Sequence, residues 1–136
     1  MSWLSTYRNI VSDRSKYGHT VLRWSLGVTM FLAGFHKLFH PQLWAGYMAP
    51  AFASLLPIPP GTTMLFVHAP IEIAVGLLVL GDRYTSMAAS VAALSMTTII
   101  LNLMVAGTAV DILIRDIAIF GLAVTNALVF ADKTST

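Results

Sequence analysis

Apolar residues gather in four stretches, 21–39, 62–80, 86–106 and 112–130, each interrupted by only a few polar side chains. Each approaches the roughly 20 residues that an α-helix needs to cross the hydrocarbon core of a bilayer. The pattern predicts an all-α membrane protein: one domain over residues 1–136, built as a bundle of four transmembrane helices. The 40–61 connection, HPQLWAGYMAPAFASLLPIPPG, is apolar but too short to span. Pro41 and Pro50 suit the first turns of two short helices, and Pro57, Pro59 and Pro60 should stop any continuation. With Trp44 and Tyr47 at headgroup level, the connection reads as short interfacial helices that cap the outer face or merely link the first two spans.

The polar residues within the spans fall along one seam of each helix. At about 100° per residue, Arg23, Gly27, Met30, Gly34 and Lys37 share an arc of about 80°. Gly27 and Gly34 would let another backbone approach closely, as small residues do between membrane helices. His68, Glu72 and Gly76 form an i, i+4, i+8 stripe on the second span; Ser95, Thr98 and Asn102 share a face of the third; Asp116, Ile119, Ala123 and Asn126 share one on the fourth. A charge at the bilayer centre costs about 2.5–3.5 kcal/mol on insertion scales, so such groups usually face the bundle interior, pair and mark function. Lys37, His68, Glu72, Asn102, Arg115 and Asp116 are therefore the candidate polar pocket, with Arg23, Gly27, Gly34 and Gly76 as packing or anchoring positions. Glu72 lies near midspan, where a carboxylate cannot snorkel far; it pairs with Lys37 or Arg115, or it is protonated. Asp111 and Arg115, spaced i, i+4, predict a local pair at the rim, and adjacent Arg115 and Asp116 should point about 100° apart. Pro70 removes the donor for the Phe66 carbonyl, predicting a bend that either opens a polar cavity or wraps the helix around its neighbours.

Composition narrows the class. The 136 residues are 57% hydrophobic and 10% charged, against about 25% charged in soluble domains. The absence of cysteine excludes disulfides, iron–sulfur ligation, thioether-linked haem and dithiol relays. A net charge of +2, thinly scattered, gives nucleic acid no surface. The polar first 20 residues lack an A-x-A cleavage pattern, so the first span is expected to be retained. Arg8, Arg14, Lys16 and Arg23 precede that span, Arg83 lies between the second and third, Lys133 follows the fourth, and the 40–61 connection has no Lys or Arg. The positive-inside rule then puts both termini and the 81–85 turn in the cytoplasm, at the plasma membrane. The candidate pocket falls in the outer half of the bundle, and Arg23 at its inner edge. His36 lies on the opposite face from Lys37 and His40 sits at the interface, so no metal site is expected. No nucleophile–base pair, phosphate-cradling loop or paired-carboxylate signature emerges, and no catalytic residue can be assigned.

Three motifs add a resemblance. RWSLGVTMFLAGFHKL (23–38), EIAVGLLVLGDR (72–83) and IRDIAIFGLA (114–123) together resemble the helices of DoxX-type membrane proteins, over most of residues 21–130. The likeness implies an integral membrane subunit of a redox complex, similar to the small subunits of thiosulfate:quinone oxidoreductase, with Arg23, Lys37, Glu72, Arg115 and Asp116 at motif positions. It implies a quinone or lipid as bound molecule and other membrane subunits as partners, with the electron carrier held elsewhere. A non-catalytic accessory or assembly subunit and a small-solute transporter remain the alternatives.

Overall fold

The computed structural model describes residues 3–14, 17–107 and 109–131. Lys16 and Lys133, used above for orientation, lie outside them. Regular structure among the described residues is helical: α1 (Trp3–Arg14), α2 (Gly18–Phe39), α3 (Pro41–Ala45), α4 (Pro50–Ala53), α5 (Pro60–Thr63), a π-helical turn (Met64–His68), α6 (Ala69–Leu80), α7 (Thr85–Ala106) and α8 (Val110–Val129).

Among the described residues, three helical stretches are long and apolar enough to cross a membrane: Pro60–Leu80, Thr85–Ala106 and Val110–Val129. The first expected span corresponds to α2, equally long at 22 residues; its polar groups, Arg23, His36 and Lys37 among them, leave it outside that set. Large apolar side chains such as Leu32, Phe66, Leu94, Ile114 and Leu128 are exposed on the helices. So much exposed apolar surface suits contact with lipid rather than water. The chain is a multi-pass membrane protein. The polar N-terminal stretch forms α1, whose Trp3, Leu4, Tyr7, Ile10 and Val11 are all exposed.

Pro41 and Pro50 each open a short helix. Pro60 departs from expectation: it begins α5 and carries the second span two residues further out than 62–80. Proline is tolerated in a first turn, where its missing N–H has no intrahelical partner to lose. Pro70 receives the same treatment. The backbone widens into the π turn, the Ala69 N–H bonds back to the Met64 carbonyl, and Pro70 falls in the first turn of α6.

The bundle consists of two principal pairs, α2 with α6 and α7 with α8, joined by a smaller α6–α7 contact. The α2–α6 pair depends on glycine. A Cβ on Gly76 would lie 2.6 Å from the Phe31 backbone nitrogen, and one on Gly34 2.8 Å from Ala69 O and Ile73 N. At the 81–84 end, Arg23 Nη1 donates to Val79 O (3.1 Å) and Leu80 O (2.8 Å). These carbonyls belong to the last turn of α6, where intrahelical donors run out and the helix dipole is negative. Leu26, Met30, Val75, Val79, Ala88, Ala89, Ala92, Met96 and Ala123 fill the bundle near this end. Packing loosens towards the 40–61 end.

Candidate functional site

The seam of α2 brings Lys37 to the 40–61 end of the bundle, where only 2% of it is exposed; Glu72, on α6, is 1% exposed. Lys37 Nζ donates to both oxygens of Glu72, at 2.7 Å to Oε1 and 2.6 Å to Oε2. The same ammonium lies 3.9 Å from the centroid of the Trp44 ring, which covers it from α3. Two ammonium protons therefore go to the carboxylate, while the cation meets an aromatic face. Of the partners open to Glu72 in the sequence, the structure selects Lys37.

Asp116, on α8, is 3% exposed. Its Oδ1 accepts from Arg115 Nε at 2.9 Å, and Arg115 Nη2 is 2.9 Å from the same oxygen. This replaces the predicted Asp111–Arg115 pair. Adjacent positions do diverge on a helix, but an arginine side chain is long enough to fold back. Asp116 is the carboxylate taken out of solvent, so it has the greater need of a partner. The Arg115 side chain stays half exposed.

A cavity of about 380 Å³ opens between the helix pairs, beneath the 40–61 connection. Lys37, His68, Asn102 and Asp116 line it; apolar walls come from Trp44, Phe52, Met64 and Leu103 among others. A second space of about 260 Å³ lies against α2 and α8, with Glu72 and Arg115 in its lining. The two share Lys37, Trp44, Ile99 and Asp116. All six residues of the candidate pocket thus border one or both spaces. Arg23, Gly27 and Gly76 lie towards the other end of the bundle, with Leu80 or Phe31 against them, while Gly34 closes the backbone gap beside Glu72.

Asn102 fastens the connection above the cavity. Its Nδ2 donates to Tyr47 O at 2.9 Å, and its Oδ1 accepts the Ala49 N–H at 2.9 Å. His36 is exposed and accepts a hydrogen bond from Trp44 Nε1 at 2.9 Å; its ring neighbours are His40 and Trp44, not His68. Trp44 is the residue that sequence reasoning undervalued. It was legible only as an interfacial aromatic, because nothing local to 40–61 says that its ring will lie over Lys37. Asn126, fully buried, donates to Leu22 O (3.1 Å) and Leu122 O (2.9 Å) and ties α8 to α2.

Lys37 directs two of its three ammonium protons at Glu72. The His68 side chain, partly buried, makes no hydrogen bond with another described residue. Its imidazole is available to a bound molecule, as is the Tyr47 hydroxyl on the same lining.

The model of the DoxX family matches residues 18–107. That stretch includes Arg23, Lys37, His68, Glu72 and Asn102 and ends before Arg115 and Asp116. No match was found among curated proteins or solved structures.

Proposed function

The chain belongs to the DoxX family, and on that premise we propose that it is a membrane subunit of a redox complex that receives a quinone-type molecule between its helix pairs. In this reading α2 crosses the bilayer as a fourth span. Its contacts with α6 run from Arg23 against Val79 and Leu80 to Lys37 against Glu72, which supports an equal crossing. Both termini and the 81–84 turn face the cytoplasm of a plasma-membrane protein, and the cavity lies in the outer half.

The observation that carries the reading is the cavity: about 380 Å³, with mostly apolar walls and Lys37, His68 and Asp116 brought to it. Small-molecule pockets have this character and occupy about 300–1,000 Å³. His68 orients the head of the ligand, and Asp116 carries the proton that accompanies electron transfer. With no cysteine in the chain, the electron carrier resides in a partner subunit. Titration of the purified protein with a short-chain benzoquinone, followed by Trp44 fluorescence in a Trp3→Phe/Trp24→Phe background, should show saturable quenching. Failure to saturate would overturn the quinone reading.

The closed Lys37–Glu72 pair favours a second reading, an accessory subunit that assembles a larger enzyme. Its ionic groups would serve folding and docking. Substitutions at the cluster would then lower complex abundance and leave turnover per assembled complex unchanged.

A further inference from the structure

One polar atom at the junction of the two spaces has no partner. Asp116 Oδ1 is held by Arg115, whereas Oδ2 accepts no hydrogen bond from any described residue. Nor is Oδ2 sealed among protein atoms: the buried, unpartnered side-chain atom among the described residues is Asn126 Oδ1. Asp116 lines both spaces, and Oδ2 is the oxygen that Arg115 leaves for a ligand there. The residue itself is 97% buried, being 3% exposed, so bulk water cannot solvate its carboxylate as it would at a surface. An ionised carboxylate only accepts hydrogen bonds. What it lacks here is a donor.

We infer that the cavity selects a bilayer-soluble molecule whose head carries an O–H group, a phenol or quinol, and binds it through donation to Asp116 Oδ2. The carbonyl counterpart, a quinone, would set one acceptor against another at this position. Charge complementarity points the same way. Lys37 is paired with Glu72 and Arg115 with Asp116, so the site offers a neutral donor no net attraction to displace and gives an anion no free cation among these four groups. His68, lining the larger cavity, can accept or donate at a second oxygen of the same ring. The smaller space provides the way in. It is bordered by Leu32 and Arg115, both exposed on the bundle surface, and α2 and α8 share only a modest contact along their length. A ligand can pass laterally from lipid to Asp116 without crossing the Asn102-fastened connection.

This inference rests on the reading above for the ligand's origin in the bilayer; the donor requirement rests on Asp116 alone. Two matched pairs of probes separate them, measured on the full chain in nanodiscs by Trp44 quenching in the same tryptophan background. The first pair is para-decylphenol and para-decylanisole, in which a methyl group replaces the donated hydrogen. The phenol should bind about tenfold more tightly or better, as expected for a hydrogen bond to a charged acceptor. Equal affinities, or no binding of either, would overturn the inference. The second pair is decylbenzoquinol and decylbenzoquinone. The quinol should be preferred by a similar factor, and Asp116→Asn, whose amide offers a donor, should reverse that order. A folded Asp116→Asn protein with an unchanged quinol preference would overturn the role of Oδ2. If that variant does not fold, the wild-type phenol-to-anisole ratio still decides. A phenol preference with no binding of either decyl ring of the second pair would sustain the donor rule and remove the quinone-linked function.

Discussion

Lys37 and Glu72 illustrate what a bilayer demands of single residues. Each is costly to bury alone, and together they satisfy one another through two hydrogen bonds of 2.6–2.7 Å. Removing one partner leaves a buried charge. Lys37→Met or Glu72→Leu should therefore destabilise the fold by about 3–5 kcal/mol, read from denaturant unfolding in mixed micelles. The double replacement Lys37→Met/Glu72→Leu should restore most of that loss, since an apolar pair of similar volume has no desolvation cost. A double variant no better than the singles would mean that the pair matters beyond mutual neutralisation. Asn102 works at a smaller scale. Asn102→Leu releases the Tyr47 carbonyl and Ala49 N–H, at a stability loss of about 1 kcal/mol. Proteolysis within 40–61 should quicken markedly while cleavage elsewhere stays as it was.

At the scale of elements, the α2–α6 contact shows why glycine position matters more than glycine number. Gly76 faces the backbone of Phe31, which cannot step aside, whereas Gly121 on α8 has open space where a Cβ would go. Gly76→Val should cost about 1–3 kcal/mol or more through overpacking. Gly121→Ala should be neutral or stabilise by up to about 1 kcal/mol, from helix propensity. Thermal unfolding of the two variants in one detergent compares them directly; similar losses would show that the pair can slide apart. The π turn is also an element-scale device. It absorbs the donor missing at Pro70 and sets the phase in which His68 meets the cavity while Glu72 meets Lys37.

For the whole molecule, the bundle is filled tightly at one end and hollow at the other. Small residues on α7, Ala88, Ala89 and Ala92, meet Leu26, Met30 and Val79 near the 81–84 turn. Longer and polar side chains at the opposite end hold the helix pairs apart around the cavity. The proposed four-span topology makes a concrete prediction, aided by a cysteine-free background. An impermeant maleimide applied outside intact cells should label Ser54→Cys, while Thr6→Cys and Arg83→Cys react only after permeabilisation. Labelling of Thr6→Cys and Ser54→Cys from the same side would exclude the α2 crossing.

Sequence by itself determined the helical class, the contact with lipid and the family, because apolar runs of bilayer length and seams of period 3.6 are properties of local order. It also marked which residues would be expensive to leave facing lipid: Lys37, Glu72 and Asp116 are all buried. Partner choice belonged to tertiary structure. Glu72 had two cations within plausible reach, and only the close α2–α6 approach through Gly34 and Gly76 decides for Lys37. Arg115 had Asp111 one turn away and took Asp116 instead, since the buried carboxylate needs the partner more. Trp44 over Lys37 and the open oxygen of Asp116 depend on several elements meeting at once. Spacing along a chain records which face a side chain occupies; it does not record what the opposite face will bring.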